Sequence, residues 1–201
     1  MAAEQQPGFG YEGIPSFCRM PVCFDPAELD ADVAVVGICI DTGTSYRSGT
    51  RFGPRAIRDA SMIYAPVYIP GSGFFDIEQR KYMLGGVSIV DCGDVVTLPT
   101  LLMETMDLIT HHIEDIRARG AIPVVLGGDH SVSFPVVRAI DDKPLHVVQF
   151  DTHLDLMDEV VGIRYSHANP MKRISELDNV TGITHIGIRG LMNPPDWAEA
   201  S

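Results

Sequence analysis

Short apolar runs bounded by glycine, proline or charge recur along the chain, and stretches of helical spacing lie between them. Residues 33–38, 122–126 and 146–150 are rich in Val and Ile. Runs of this length and composition predict strands buried on both faces of a parallel sheet. Residues 87–90 read as a further strand ending in Asp91-Cys92-Gly93-Asp94, whose two acids suit a loop or cap. A last strand is expected over 183–188, with His185 as a satisfied core histidine. The clearest helix carries Leu102, Met106, Ile109, Ile113 and Ile116 at steps of three and four, and Gly120 closes it as a left-handed cap. His111 and His112 lie on this helix as surface residues. Pro54 suits the first turn of a helix running to about Ser61. Residues 131–140 predict another helix, and Tyr165-Ser-His-Ala-Asn-Pro170 opens one that continues through Ile174. Residues 62–86 hold turns and aromatics without a period. Residues 1–31, rich in Gly and Pro, read as an arm. The length of 201 residues suits one domain, 1–201, with a real core.

Two of the predicted strands end in residues that bind metal. The run at 122–126 leads into Gly127-Gly128-Asp129-His130-Ser131, and the run at 146–150 leads into Asp151-Thr152-His153-Leu154-Asp155. Ligands gather outside the carboxyl ends of the strands in open α/β sheets. If the chain stays extended past 150, side-chain alternation puts Asp151, His153 and Asp155 on one face. His130 would arrive from the neighbouring strand. Carboxylate and imidazole without thiolate suit Mn, Zn, Fe or Ni rather than a structural zinc knot. The glycines after Asp41 invite a phosphate-loop reading, but no Gly-Lys-Ser/Thr follows, so that reading fails. Arg47 and Arg51 in the same stretch are read as structural.

Gly127-Gly128-Asp129-His130-Ser131 and Asp151-Thr152-His153-Leu154-Asp155 resemble the first and second metal motifs of the ureohydrolases, the family of arginase and agmatinase. Tyr11-Glu-Gly-Ile-Pro-Ser-Phe17 and the stretch 41–58 are similar to the agmatinase-like branch. The resemblance implies a three-layer α/β/α fold on a mainly parallel sheet. It implies two divalent ions, manganese or alternatively nickel, with His130, Asp151, His153 and Asp155 as ligands and Asp151 as a bridge. It implies hydrolysis of a linear C–N bond in a cationic guanidino compound, releasing urea and an amine. Asp155 would also orient the attacking water, and His167 stands where the family carries a proton-shuttling histidine. Relatives of this kind are expected to be homo-oligomers, trimers or hexamers.

The family's third motif, Ser-x-Asp-x-Asp-x-x-Asp-Pro, has no counterpart between residues 156 and 201. Four of the six implied ligands are therefore present, and the expectation is a chain lacking the carboxyl-terminal third of the domain. In the implied sheet the last two strands sit between the third and the fourth, so those two strands should be left as open edges. A non-catalytic isoform or subunit is the rival reading, and a deacetylase on the related fold a weaker one.

Composition narrows the partners. The formal charge of −12 argues against nucleic acid and against an anionic membrane surface, and suits a cationic substrate. No apolar run reaches membrane-spanning length, and residues 1–7 lack the basic and apolar regions of a signal peptide. Cys18, Cys23, Cys39 and Cys92 form no CxxC pair, so reduced thiols and a cytoplasmic location are expected.

Overall fold

The computed structural model describes residues 11–191. They fall into two compact units: residues 11–37, 52–95 and 115–126 form one, and residues 38–51, 96–114 and 127–191 the other. Residues 1–10 of the expected arm lie outside the described residues.

The first unit is organised on strand β1, Val33–Ile38. Ala34, Val35, Val36 and Ile38 are all essentially inaccessible, as expected of a strand covered on both faces. Helix α1, Gly53–Ser61, begins with Pro54 in its first turn, where a missing N–H costs nothing. The stretch without a period contains a small antiparallel sheet of β2 (Tyr68–Ile69), β3 (Gly73–Asp76) and β4 (Lys81–Met83). Strand β5, Ile89–Asp94, pairs in parallel with β1, with Val33 opposite Ile89. Strand β6, Ile122–Gly127, lies on the other side of β1. Cys18, Met20, Val35, Ile89 and Leu126 pack into this unit's core.

Asp91 and Asp94 are strand residues, not the loop acids that the sequence suggests. Arg58 explains the difference. Its Nε and Nη2 reach the two oxygens of Asp91 at 2.8 and 2.9 Å, and its Nη1 reaches Asp94 at 2.6 Å. Burial disfavours the charge on Arg58, but the hydrogen bonds it donates to both carboxylates outweigh it and its pKa is raised. A planar guanidinium can serve two acids on one strand in this way, so the strand extends through Asp94.

Helix α2 runs Leu102–Ala118, and Met106, Ile109, Ile113 and Ile116 form its buried face. Gly120 follows at φ 82°. In the second unit the expected helix over 131–140 is shorter: a 3-10 turn at His130–Val132 leads into helix α3, Ser133–Arg138. Strand β7 (Leu145–Phe150) is followed by helix α4 (Pro170–Ser175) and strand β8 (Val180–Ile186). β7 and β8 pair in parallel. Met106, Phe134, Leu154, Leu156, Met171 and Ile174 make the core.

β6 and β7 depart from the expectation of two covered faces. Ile122 and Val124 on β6, and Val148 and Phe150 on β7, are exposed. Their exposure alternates with partly buried neighbours, the period of a strand covered on one face only. Among the described residues β6 pairs with β1 and β7 with β8, and no ladder joins β6 to β7.

Candidate metal centre

The first motif works through its backbone. Gly128 takes φ 57°, and a Cβ there would stand 2.6 and 2.7 Å from the carbonyls of Ile38 and Ile40. Only glycine combines that conformation with that approach. The turn delivers Asp129, whose N–H donates to the Ile40 carbonyl at 2.8 Å. Asp129 in turn caps the 3-10 turn, accepting from the Ser131 N–H at 2.9 Å. His130 is the first residue of that turn.

The second motif reaches the same place by a different route from the extended one expected. β7 ends at Phe150. Asp151 Oδ1 accepts the His153 N–H at 2.8 Å, an Asx-type turn, and Asp155 sits at φ 54°. Leu154 and Leu156 are both buried, and they anchor the chain on either side of Asp155. The Asp155 carbonyl accepts from Met171 and Lys172 at the start of α4, at 3.1 and 3.3 Å. A turn held by core leucines and a helix end, not strand alternation, presents the carboxylates.

The result is a cluster. One ligand atom from each of His130, Asp151 and Asp155 lies within 4.8 Å of the others. His130 Nδ1 is 2.5 Å from Asp155 Oδ2, so imidazole and carboxylate turn their donor atoms toward one another. Burial pushes the Asp151 pKa up, but the N–H groups of His153 and Thr152 and the nearby imidazoles hold it below the ordinary value. An ionised carboxylate beside a second carboxylate and an imidazole is a donor set that fits a hard or borderline divalent ion. His153 is not gathered into this group. Its ring is 70% exposed, with Nδ1 3.4 Å from Asp151 Oδ1.

His153, Asp155 and His167 line one cavity of about 360 Å³, together with Met157 and Arg189. His167 is held by its Nδ1 against the Gly43 carbonyl at 2.5 Å. Its turn is braced by Asn169, fully buried, whose Oδ1 accepts from the Ser166 N–H and hydroxyl at 2.9 and 2.6 Å. Arg189 was not singled out by sequence reasoning, although an Arg after the last parallel strand stands where ligands collect. Nor was Gly43, which no periodicity could mark. His185 is satisfied, as expected, but only partly buried rather than in the core: it meets Gln149 Oε1 at 2.6 Å, and burial lowers its pKa. Arg51 is structural, paired with Asp41.

The Arginase family model matches residues 31–201. The chain belongs to the arginase family. It is 36% identical over 195 residues to a guanidinobutyrase of Pseudomonas aeruginosa, covering 94% of this chain and 58% of that protein. It is 34% identical over 188 residues to a mitochondrial agmatinase of Gallus gallus, covering 92% and 52%. Among solved structures, proclavaminate amidino hydrolase from Streptomyces clavuligerus superposes with a TM-score of 0.78 at 31% identity. That match covers 96% of this chain and 63% of the other. This arginase-family chain thus has the arginase α/β fold and spans somewhat over half the length of the curated relatives it matches.

Proposed function

We propose that this arginase-family chain carries the first metal-binding and proton-transfer residues of a hydrolase that splits guanidino compounds into urea and an amine. The observation that supports it most is the convergence of His130, Asp151 and Asp155 beside a cavity that Asp155 shares with His153 and His167. Hydrolases of guanidino compounds among its relatives support the same reading.

His130, Asp151 and Asp155 would hold a divalent ion, and His153 would join by rotating its exposed ring inward. Two such ions, manganese or nickel, would supply Lewis acidity and lower the pKa of water to about 7. The chain's own residues do the rest. Asp151, held ionised, would serve both ions. Asp155 faces the cavity and orients the attacking water by accepting a hydrogen bond from it. His167, on the same wall, carries a proton to the leaving amine nitrogen. The net acidity, −12, favours a cationic guanidino substrate. The four thiols, none in a disulfide, support a reducing, cytoplasmic setting.

The test is urea release across agmatine, guanidinobutyrate, other guanidino acids and guanidine. It is run on this chain and on a form that adds the two aspartates of the third motif. Urea from the extended form, with two ions bound, is expected. Acetate release from acetylated amines instead, or no turnover with two ions bound, would contradict the reading.

A further inference from the structure

Asp129 lies inside the first motif, yet both its oxygens are already engaged. Oδ1 accepts from the Ser131 N–H at 2.9 Å and the Ser131 hydroxyl at 2.5 Å. Oδ2 accepts from the Gly43 N–H at 2.9 Å. The carbonyl of that same Gly43 faces His167, accepting from its Nδ1 at 2.5 Å and more weakly from its backbone N–H at 3.4 Å. A carbonyl oxygen has no proton to give, so Nδ1 carries it, and in the neutral ring the lone pair is on Nε2.

Gly43 is a glycine for space, not for conformation. Its φ lies outside the left-handed region, but a Cβ would stand 2.9 Å from His167 N, 3.0 Å from Asp129 Oδ2 and 3.1 Å from Ser166 Cα. Two of these neighbours are backbone atoms of the turn that Asn169 braces, so they yield poorly. Asp129, Gly43 and His167 therefore form one tightly packed chain of contacts.

We propose that the Gly43 carbonyl, held from behind by the buried Asp129 carboxylate, fixes His167 as the Nδ1–H tautomer, so that Nε2 is the atom that takes and returns a proton. Gly43 and Asp129 are positioning residues, acting through His167. The inference rests on the proton-carrying role given to His167 above. Which nitrogen of a histidine works is set by the hydrogen bond the other makes.

The experiment reads the tautomer directly, without metal or substrate. The chain is labelled with 15N-histidine, sedimented, and measured by magic-angle-spinning NMR at about pH 8, where an ordinary imidazole is neutral. The His167 signals are assigned with His167→Gln. In the unchanged chain His167 should show a protonated Nδ1 and a bare Nε2. Gly43→Ala and Asp129→Asn should each shift the tautomer ratio toward Nε2–H by roughly fivefold, as loss of one hydrogen bond implies. His185, bonded to Gln149 in the same unit, should keep its signals and so report that the fold persists. An unchanged chain with His167 as Nε2–H overturns the proposal whatever the variants do. Unaltered His167 signals in both folded variants overturn it as well. Absence of urea release with the predicted tautomer present would count against the function alone.

Discussion

Asp41 is buried, yet hydrogen bonds keep it ionised. The Arg51 side chain donates to it from Nε at 2.6 Å, and the Gly49 N–H donates at 2.7 Å. The Arg51 hydrogen bond, first among the causes, outweighs burial and brings the carboxyl from 3.8 to about 2. A depressed carboxylate stabilises the fold above its unfolded value and loses that contribution as pH falls. The window therefore lies between 3.8 and about 2. Asp41→Asn should flatten the pH dependence of the melting temperature in that window, and parallel melts of the two chains check it. Arg58 gives a larger effect. Replacing it with Met leaves Asp91, 2% exposed, without its ion-pair partner. The expected cost is about 3–5 kcal/mol, read by urea denaturation. For the proposed chemistry, His167→Ala in the extended form should keep its metals and lose rate on the order of 10²-fold. His111→Ala, on the exposed side of α2, should leave the rate unchanged.

At the scale of elements, what could be read from the sequence was what local pattern encodes. The stripe from Leu102 to Ile116 is α2, and the truncation Ile109→Ala should cost about 2–5 kcal/mol of stability because its side chain is wholly buried. Pro54, Gly120 and the apolar run of β1 also fell where pattern put them. The departures came from partners distant in sequence. Asp91 and Asp94 look like loop acids until Arg58 is placed between them. Extended alternation is the natural reading of Asp151-Thr-His-Leu-Asp155, but the Asx-type turn and the buried leucines on either side of Asp155 are tertiary choices. The motifs named the three residues that converge, His130, Asp151 and Asp155, as well as His153, which does not join them, and the wrong backbone was assigned to the second motif. The antiparallel strands β2 to β4 were invisible because they span only two to four residues each.

At the scale of the whole molecule, β6 and β7 each present an edge unpaired among the described residues, and apolar faces that include Ile122, Val124, Val148 and Phe150. Open edges of this kind template association. The 201-residue polypeptide alone should elute as assemblies rather than as a compact monomer, despite its charge of −12, and light scattering on the eluting species checks this. A cooperative melt from a monomer would mean that the edges are covered. The proposed function stands or falls on metal binding by the two motifs. Its most direct test is equilibrium dialysis of residues 1–201 against manganese, followed by elemental analysis, with Asp151→Ala and Asp155→Ala beside the unchanged chain. The three gathered ligands predict one ion per chain, lost in both variants. Binding that both variants retain, or no binding by the unchanged chain, would contradict the account.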